Sequence, residues 1–288
     1  MNNYVIFTDS GCDIKPEVLK EWGVPYLSLT FRFTGEDKEY SNDGMDINEF
    51  YNRMREGGVA KTAAVNVQSF YEAFEKILKE GNDLLYIGFS SGLSTTYNSA
   101  RFAAEQLKSA YPERKILTVD TLAASAGQGM LVYLACEKKN GGARVEEVAE
   151  YIESIKLNLC HWFTVDDLVY LKRGGRVSGV TAFVGNLLAI KPVLHVDNDG
   201  HLINVSKVRG RKTAVNALAD KYTELAKTKD EGVVFISHAD CLKDAEALSD
   251  IIKSRHGVEA KIITDVGTVI GAHSGPGTLA LFFIGNER

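Results

Sequence analysis

The sequence predicts a two-domain α/β protein, with a parallel-sheet α/β domain over residues 1–156 and a C-terminal α/β domain over 157–288 whose sheet is mixed or antiparallel. Three observations predict it. Short apolar runs alternate with helical patterns through the first half, an order that calls for parallel strands joined by helical crossovers. The second half contains "VLHVDNDGHLINVSKV", two strand-like runs around Asn198-Asp199-Gly200, which is a hairpin signal. Finally, 288 residues at 45% hydrophobic and 25% charged are enough to bury two cores.

In chain order, "YVIFTD" reads as a first strand, followed by a helix from Pro16 to Gly23. "VAKTAAVN", Val59 to Asn66, shows little helical periodicity and reads as a loop carrying Thr62. The helix Val67–Lys79 places Val67, Phe70, Phe74 and Ile77 on one stripe, with Glu72, Lys76 and Lys79 off it. "LLYIGFS" is the next strand, then a helix within Ser94–Tyr111, the strand "KILTVD" and a long helical stretch between Leu122 and Lys138. "NGGARVEEVAEYIESIK" is a glycine-marked turn and a helix, and "CHWFTV" starts the second domain after Lys156. Beyond the turn "LKRGGR", the stretch Val177 to Ile190 has almost no polar face, so it reads as a buried helix, either of a central core or walling an apolar cavity. After the hairpin come a helix (Lys212 to Ala226), a strand (Gly232 to Ser237), a helix (Lys243 to Ser254) and the strand "VEAKIITDV".

Composition excludes several classes. Net charge is −5 and the pI near 5.8, with basic residues scattered apart from "KVRGRK", so nucleic acid is not an expected partner. The first residues lack a basic segment followed by an apolar one, and eighteen apolar residues never run together; the chain reads as cytoplasmic. Cys12, Cys136, Cys160 and Cys241 have no metal-like spacing and read as reduced, packed thiols.

Chemistry concentrates at "GFSSGLSTTYNSA", where Ser90, Ser91, Ser94, Thr95, Thr96, Tyr97 and Ser99 crowd one strand-to-helix junction. Gly88-Phe89-Ser90-Ser91-Gly92 is a literal G-x-S-x-G, the nucleophile-elbow pattern, so a serine hydrolase acting on small esters through Ser90 is one reading. Asp120 with His238 or His273 could complete a triad, but no oxyanion-loop pattern precedes Ser90. The other reading is anion capture: backbone N–H groups and the positive end of a helix dipole meet hydroxyls such as Ser91 and Ser94. Helix capping alone would use one of these hydroxyls. Thr62 would share the same sheet edge, since ligands of open α/β sheets gather beyond the strands' carboxyl ends. It is either a site residue or a structural loop residue. His273 in "GTVIGAHSGPG" is either packed or a ligand group approached closely by backbone among glycines. "LKRGGR" is a solvated turn or a basic site element. Asp9 and Asp13 in "TDSGCD" suggest Mg²⁺ or phosphoryl chemistry, or a cap on the helix near Pro16.

Taken in order, "TDSGCDI", "KTAAVN", "SSGLSTTYNSA", "VDT" (Val119 to Thr121), "LKRGGRVS", "KPVLHVDNDG", "KVRGRKTA" and "GAHSGPG" resemble the DegV family of bacterial fatty-acid-binding proteins over nearly the whole chain. The resemblance implies a long-chain fatty acid as ligand, its tail buried within the second domain and its carboxylate held between the domains. It implies no catalysis by this chain, no cofactor and no metal. The partner would be a separate ATP-dependent fatty-acid kinase subunit that makes an acyl phosphate, and transient membrane contact fits the role. Matched motif to motif, Thr62, Ser94 and His273 would be head-group ligands, with Ser91 beside them, and Arg173 a rim residue facing the kinase subunit. One departure stands out: where a Ser after the Thr, followed by Gln-Pro, is expected, this chain has Thr62-Ala63-Ala64-Val65-Asn66, which removes a hydroxyl. Neutral hydroxyls at the junction would suit both a carboxylate and an acyl phosphate.

Overall fold

A computed structural model describes residues 3–177 and 190–288. The first domain runs β1 (Tyr4–Asp9), α1 (Pro16–Glu21), β2 (Tyr26–Leu27), β3 (Thr30–Phe33), β4 (Tyr40–Ser41), α2 (Ile47–Arg55), β5 (Ala60–Ala63), α3 (Val67–Lys79), β6 (Asp83–Gly88), α4 (Thr96–Ala110), β7 (Ile116–Asp120), α5 (Ala126–Asn140) and α6 (Val145–Ile155). The second runs β8 (Leu159–Thr164), α7 (Val169–Gly174), β9 (Ile190–Val196), β10 (Leu202–Arg209), α8 (Arg211–Leu225), β11 (Val234–His238), α9 (Leu242–His256), β12 (Ile262–Asp265), α10 (Thr268–Ser274) and β13 (Leu279–Ile284).

The first sheet is parallel, in the order β2-β1-β6-β7. Its central strand β6 is buried along its whole length, as a parallel strand covered on both faces must be. The covering helix α3 turns Phe70, Phe74, Ile77 and Leu78 inward, and Asn66 caps it by accepting from the Ser69 amide at 2.9 Å. The second sheet is mixed, in the order β10-β9-β8-β13-β11-β12, with β11 and β12 parallel and the other neighbours antiparallel. The expected hairpin joins β9 and β10; the Asp197 carboxylate accepts from the Asp199 and His201 amides at 3.0 and 2.8 Å and so shapes the turn.

Some readings change. Thr62 lies on a strand, not a loop: β5 forms with β3 and β4 a small antiparallel sheet, and only four residues leave no room for a visible alternation. His273 lies in the short helix α10, and "LKRGGR" closes the short helix α7, with Gly175 in the left-handed conformation at its end. Asp13 does not cap α1; its buried carboxylate accepts from the Ser125 hydroxyl at 2.6 Å. Of the apolar stretch Val177 to Ile190, residues 178–189 lie outside the described residues. No helix among the described residues is long and apolar enough to cross a membrane.

Candidate functional site

Alternation along the strands of the mixed sheet decides which side chains reach the space between the domains. His161 and Phe163 of β8, Ala280 and Phe282 of β13, Val196 of β9 and Ser237 of β11 line one cavity with Ala124 and Ser125 of the first domain. Its volume is about 480 Å³, within the range of small-molecule sites. The intervening residues of the same strands, such as Cys160, Trp162 and Leu281, pack away from it under α8 and α9.

One end of this cavity gathers Thr62 of β5, Ser91 and Ser94 of the β6–α4 loop, and His273 of α10, three separate parts of the chain. The Thr62 hydroxyl and His273 Nε2 are hydrogen-bonded at 2.8 Å, across 211 positions of sequence. Ser94 sits where β6 passes into α4; its hydroxyl accepts from the Thr96 amide at 3.2 Å and meets the Thr96 hydroxyl at 2.9 Å. Ser94 thus takes up the Thr96 amide at the start of the helix while still lining the cavity, and the amino end of a fifteen-residue helix adds its positive potential there. Ser91 lines the same wall, its amide donating to Asp120 Oδ1 at 3.2 Å. Ala63 and Ala64 also line it, so their missing hydroxyl is a loss at the cavity itself.

His273 is held neutral at physiological pH. Burial, with the Arg176 cation nearby, pushes its pKa down to about 4. A neutral imidazole both donates and accepts, so it can bond Thr62 or hand that hydroxyl's bond to a ligand. The glycines of "GAHSGPG" explain how α10 approaches so closely: Gly275 and Gly277 both have φ near +80°, and a β-carbon there would strike Tyr170 and Asp166. From the other side Gly174 of α7 lies against the His273 ring, where an added β-carbon would overlap Nδ1.

Arg176 escaped the sequence reading as a site residue, although it stands within "LKRGGR". It lines the cavity and its Nε donates to the Leu93 carbonyl at 3.3 Å, one residue from Ser94. Besides the neutral hydroxyls, the solvent-exposed Arg176 cation stands at the same end. Arg173 does not line the cavity; its side chain is exposed, with the guanidinium 5.8 Å from the Tyr170 ring centre. Ser125 and Ser237 were also missed. Their hydroxyls lie 3.0 Å apart on the cavity wall, and Ser125 bonds Asp13, which burial pushes up to about 8.

The components nominated for a hydrolase are engaged elsewhere. Ser90 is fully buried, its hydroxyl donating to the Gly200 carbonyl at 3.1 Å and accepting from the Gly92 amide. Asp120 accepts from the Ser91 and Leu122 amides, His238 lies 3.7 Å from Asp265, and His273 is bonded to Thr62. Asp197, Asp199 and His201 are the described residues close enough to share a cation, but Asp197 is already closing the hairpin turn.

Comparison with known proteins covers nearly the whole chain. The family model described as "uncharacterised protein, DegV family" matches residues 3–286. A DegV domain-containing protein of Clostridium perfringens is 42% identical over 292 aligned positions, covering 100% of this chain and 99% of its own. The structure of a DegV lipid-binding protein from Thermotoga maritima superimposes with a TM-score of 0.87 at 32% identity, covering 99% of each chain. That of a fatty-acid-binding DegV family protein from Thermus thermophilus does so with a TM-score of 0.88 at 28% identity, covering 99% of this chain and 100% of its own. A family match over nearly every residue, with both sheets and the intervening cavity in place, leaves one conclusion: this chain belongs to the DegV family.

Proposed function

We propose that the chain binds a long-chain fatty acid, with the carboxylate among Thr62, Ser94 and His273 and the tail along the face of the mixed sheet. The observation that carries this reading is a single cavity with a hydrogen-bonding cluster at one end and Phe163, Val196, Ala280 and Phe282 along its walls. Each buried CH₂ contributes about 0.8 kcal/mol, so a tail of about fifteen carbons contributes roughly 12 kcal/mol before the costs of binding. Such a ligand should survive purification. Organic extracts of protein made in a heterologous host should contain close to one fatty acid per chain by mass spectrometry; finding none, with no uptake of added fatty acid, would count decisively against the proposal.

We further propose that the bound carboxylate is presented to a separate ATP-dependent kinase subunit. A carboxylate oxygen would attack the terminal phosphoryl of ATP, ADP would leave, and an acyl phosphate would form while the tail stays buried. The chain then supplies binding and orientation and no catalytic group of its own, and transient membrane contact serves loading and release. Ser94→Ala and Thr62→Ala should each weaken fatty-acid binding by about 1 to 3 kcal/mol, the loss expected when a charged group gives up one donor, and should reduce acyl phosphate formation at least as much. Circular dichroism should show both variants folded. Wild-type binding and phosphorylation in both would place the head group elsewhere. The rival reading, ester hydrolysis through Ser90, requires turnover that disappears in Ser90→Ala.

A further inference from the structure

His161 is the feature of the cavity that a plain hydrocarbon tail leaves unexplained. It belongs to β8, faces the cavity and is 1% exposed. Its ring meets Phe282 edge-on at 5.6 Å, and neither Nδ1 nor Nε2 has a hydrogen-bond partner among the described residues. Burial, with the Arg288 guanidinium nearby, holds the ring neutral against the weaker pull of the Leu159 carbonyl. A neutral imidazole offers one N–H and one bare lone pair. Space has been left for it: a β-carbon on Gly127 of α5 would lie 2.7 Å from Cδ2 and Nε2. An apolar residue would fill this position beside Phe163 and Phe282 without stranding two polar atoms.

The register fixes the depth. His161 pairs with Phe282, three rungs from the Thr164–Leu279 pair at the end where Thr278 and α10 arrive. At about 3.4 Å per residue that is roughly 10 Å along the strand. The imidazole therefore faces the body of a bound chain, well away from the end that holds Thr62 and His273.

We propose that His161 recognises a hydroxyl group carried within the acyl chain, making hydroxylated long-chain fatty acids preferred ligands. This rests on the fatty-acid reading above. A hydroxyl both donates and accepts, so it pairs with either tautomer of the ring, and an unsubstituted methylene with neither.

The test is displacement of a bound fluorescent fatty acid from the purified chain by octadecanoic acid and by each positional isomer of hydroxyoctadecanoic acid. Wild type should bind octadecanoic acid, and one mid-chain isomer or two adjacent ones about 3- to 10-fold more tightly. His161→Leu should lose that preference, its affinities for octadecanoic acid and for the favoured isomer becoming equal, and His161→Gln, which keeps a donor and an acceptor, should retain part of it. Wild type that prefers no isomer over octadecanoic acid, or a preference kept intact in His161→Leu, overturns the inference and leaves the fatty-acid reading standing. Wild type that binds no octadecanoic acid and no isomer overturns both. The wild-type panel with His161→Gln decides the question even if His161→Leu does not fold.

Discussion

Arg288→Ala should destabilise the folded chain by about 3 to 5 kcal/mol, although the residue does not line the cavity. Its guanidinium is mostly buried and is satisfied by main-chain carbonyls alone. Nε donates to Leu159 at 3.2 Å, one terminal nitrogen to Leu122 and Asp197 at 2.8 Å each, and the other to Lys156 at 2.6 Å and Thr121 at 3.5 Å. Those carbonyls come from the β7–α5 turn, the link between α6 and β8, the start of β8 and the β9–β10 turn, so one planar fork ties both domains together. Burial lowers its pKa to about 10, which still leaves it charged at pH 7. Bonds from a charged donor contribute about 1.5 to 3 kcal/mol each but do not add fully, and water can take over some of the carbonyls; this sets the estimate. Urea unfolding should show the loss as a lower midpoint at unchanged slope. Arg288→Lys should recover only part, since an ammonium cannot span the same fork. A loss under about 1 kcal/mol in Arg288→Ala would show that the carbonyls are satisfied as well by water.

Where a segment's local pattern and its tertiary role agree, its place was readable from sequence. The run Leu84 to Ile87 of β6 is apolar throughout because the strand is internal, α3 has a stripe because it covers a sheet, and Asn198-Asp199-Gly200 turns a hairpin. The short sheet β3-β4-β5 was not readable: strands of two to four residues show no period, and Thr62 owes its position to pairing with Phe31 on β3. The convergence of Thr62, Ser94 and His273 was legible only through motif resemblance, because the Thr62–His273 bond spans 211 positions. Arg176 was hidden for the opposite reason. It sits three residues from Arg173 in one motif, and only the curl of α7 into the left-handed Gly175 sends the two side chains to different places, one to the cavity and one to the surface. His161 gave no sequence signal at all, since a histidine in "CHWFTV" reads as a strand residue and its lack of partners is a property of the packed interior.

Arg173 is the residue for which ligand binding and phosphorylation should part company. Its neighbour Gly174 packs on the His273 ring, so α7 links the proposed head-group end of the cavity to the outer surface. Arg173 itself points outward, exposed over Tyr170. A kinase subunit that handles ATP presents carboxylates and phosphates, and a guanidinium can pair with either bidentately. Arg173→Ala should therefore leave fatty-acid binding near wild type and lower acyl phosphate formation, at kinase concentrations below saturation, by about 30-fold or more, the effect of truncating one member of a desolvated charge pair. Arg173→Lys should recover a minor part, because it restores the charge and not the fork. Raising the salt should weaken the wild-type reaction more than that of Arg173→Ala, since the variant has already lost the screened interaction. Both quantities have to be measured on one preparation. A parallel fall in binding and phosphorylation would make Arg173 a head-group ligand, against its outward position, and no fall in either would return it to an ordinary solvated side chain.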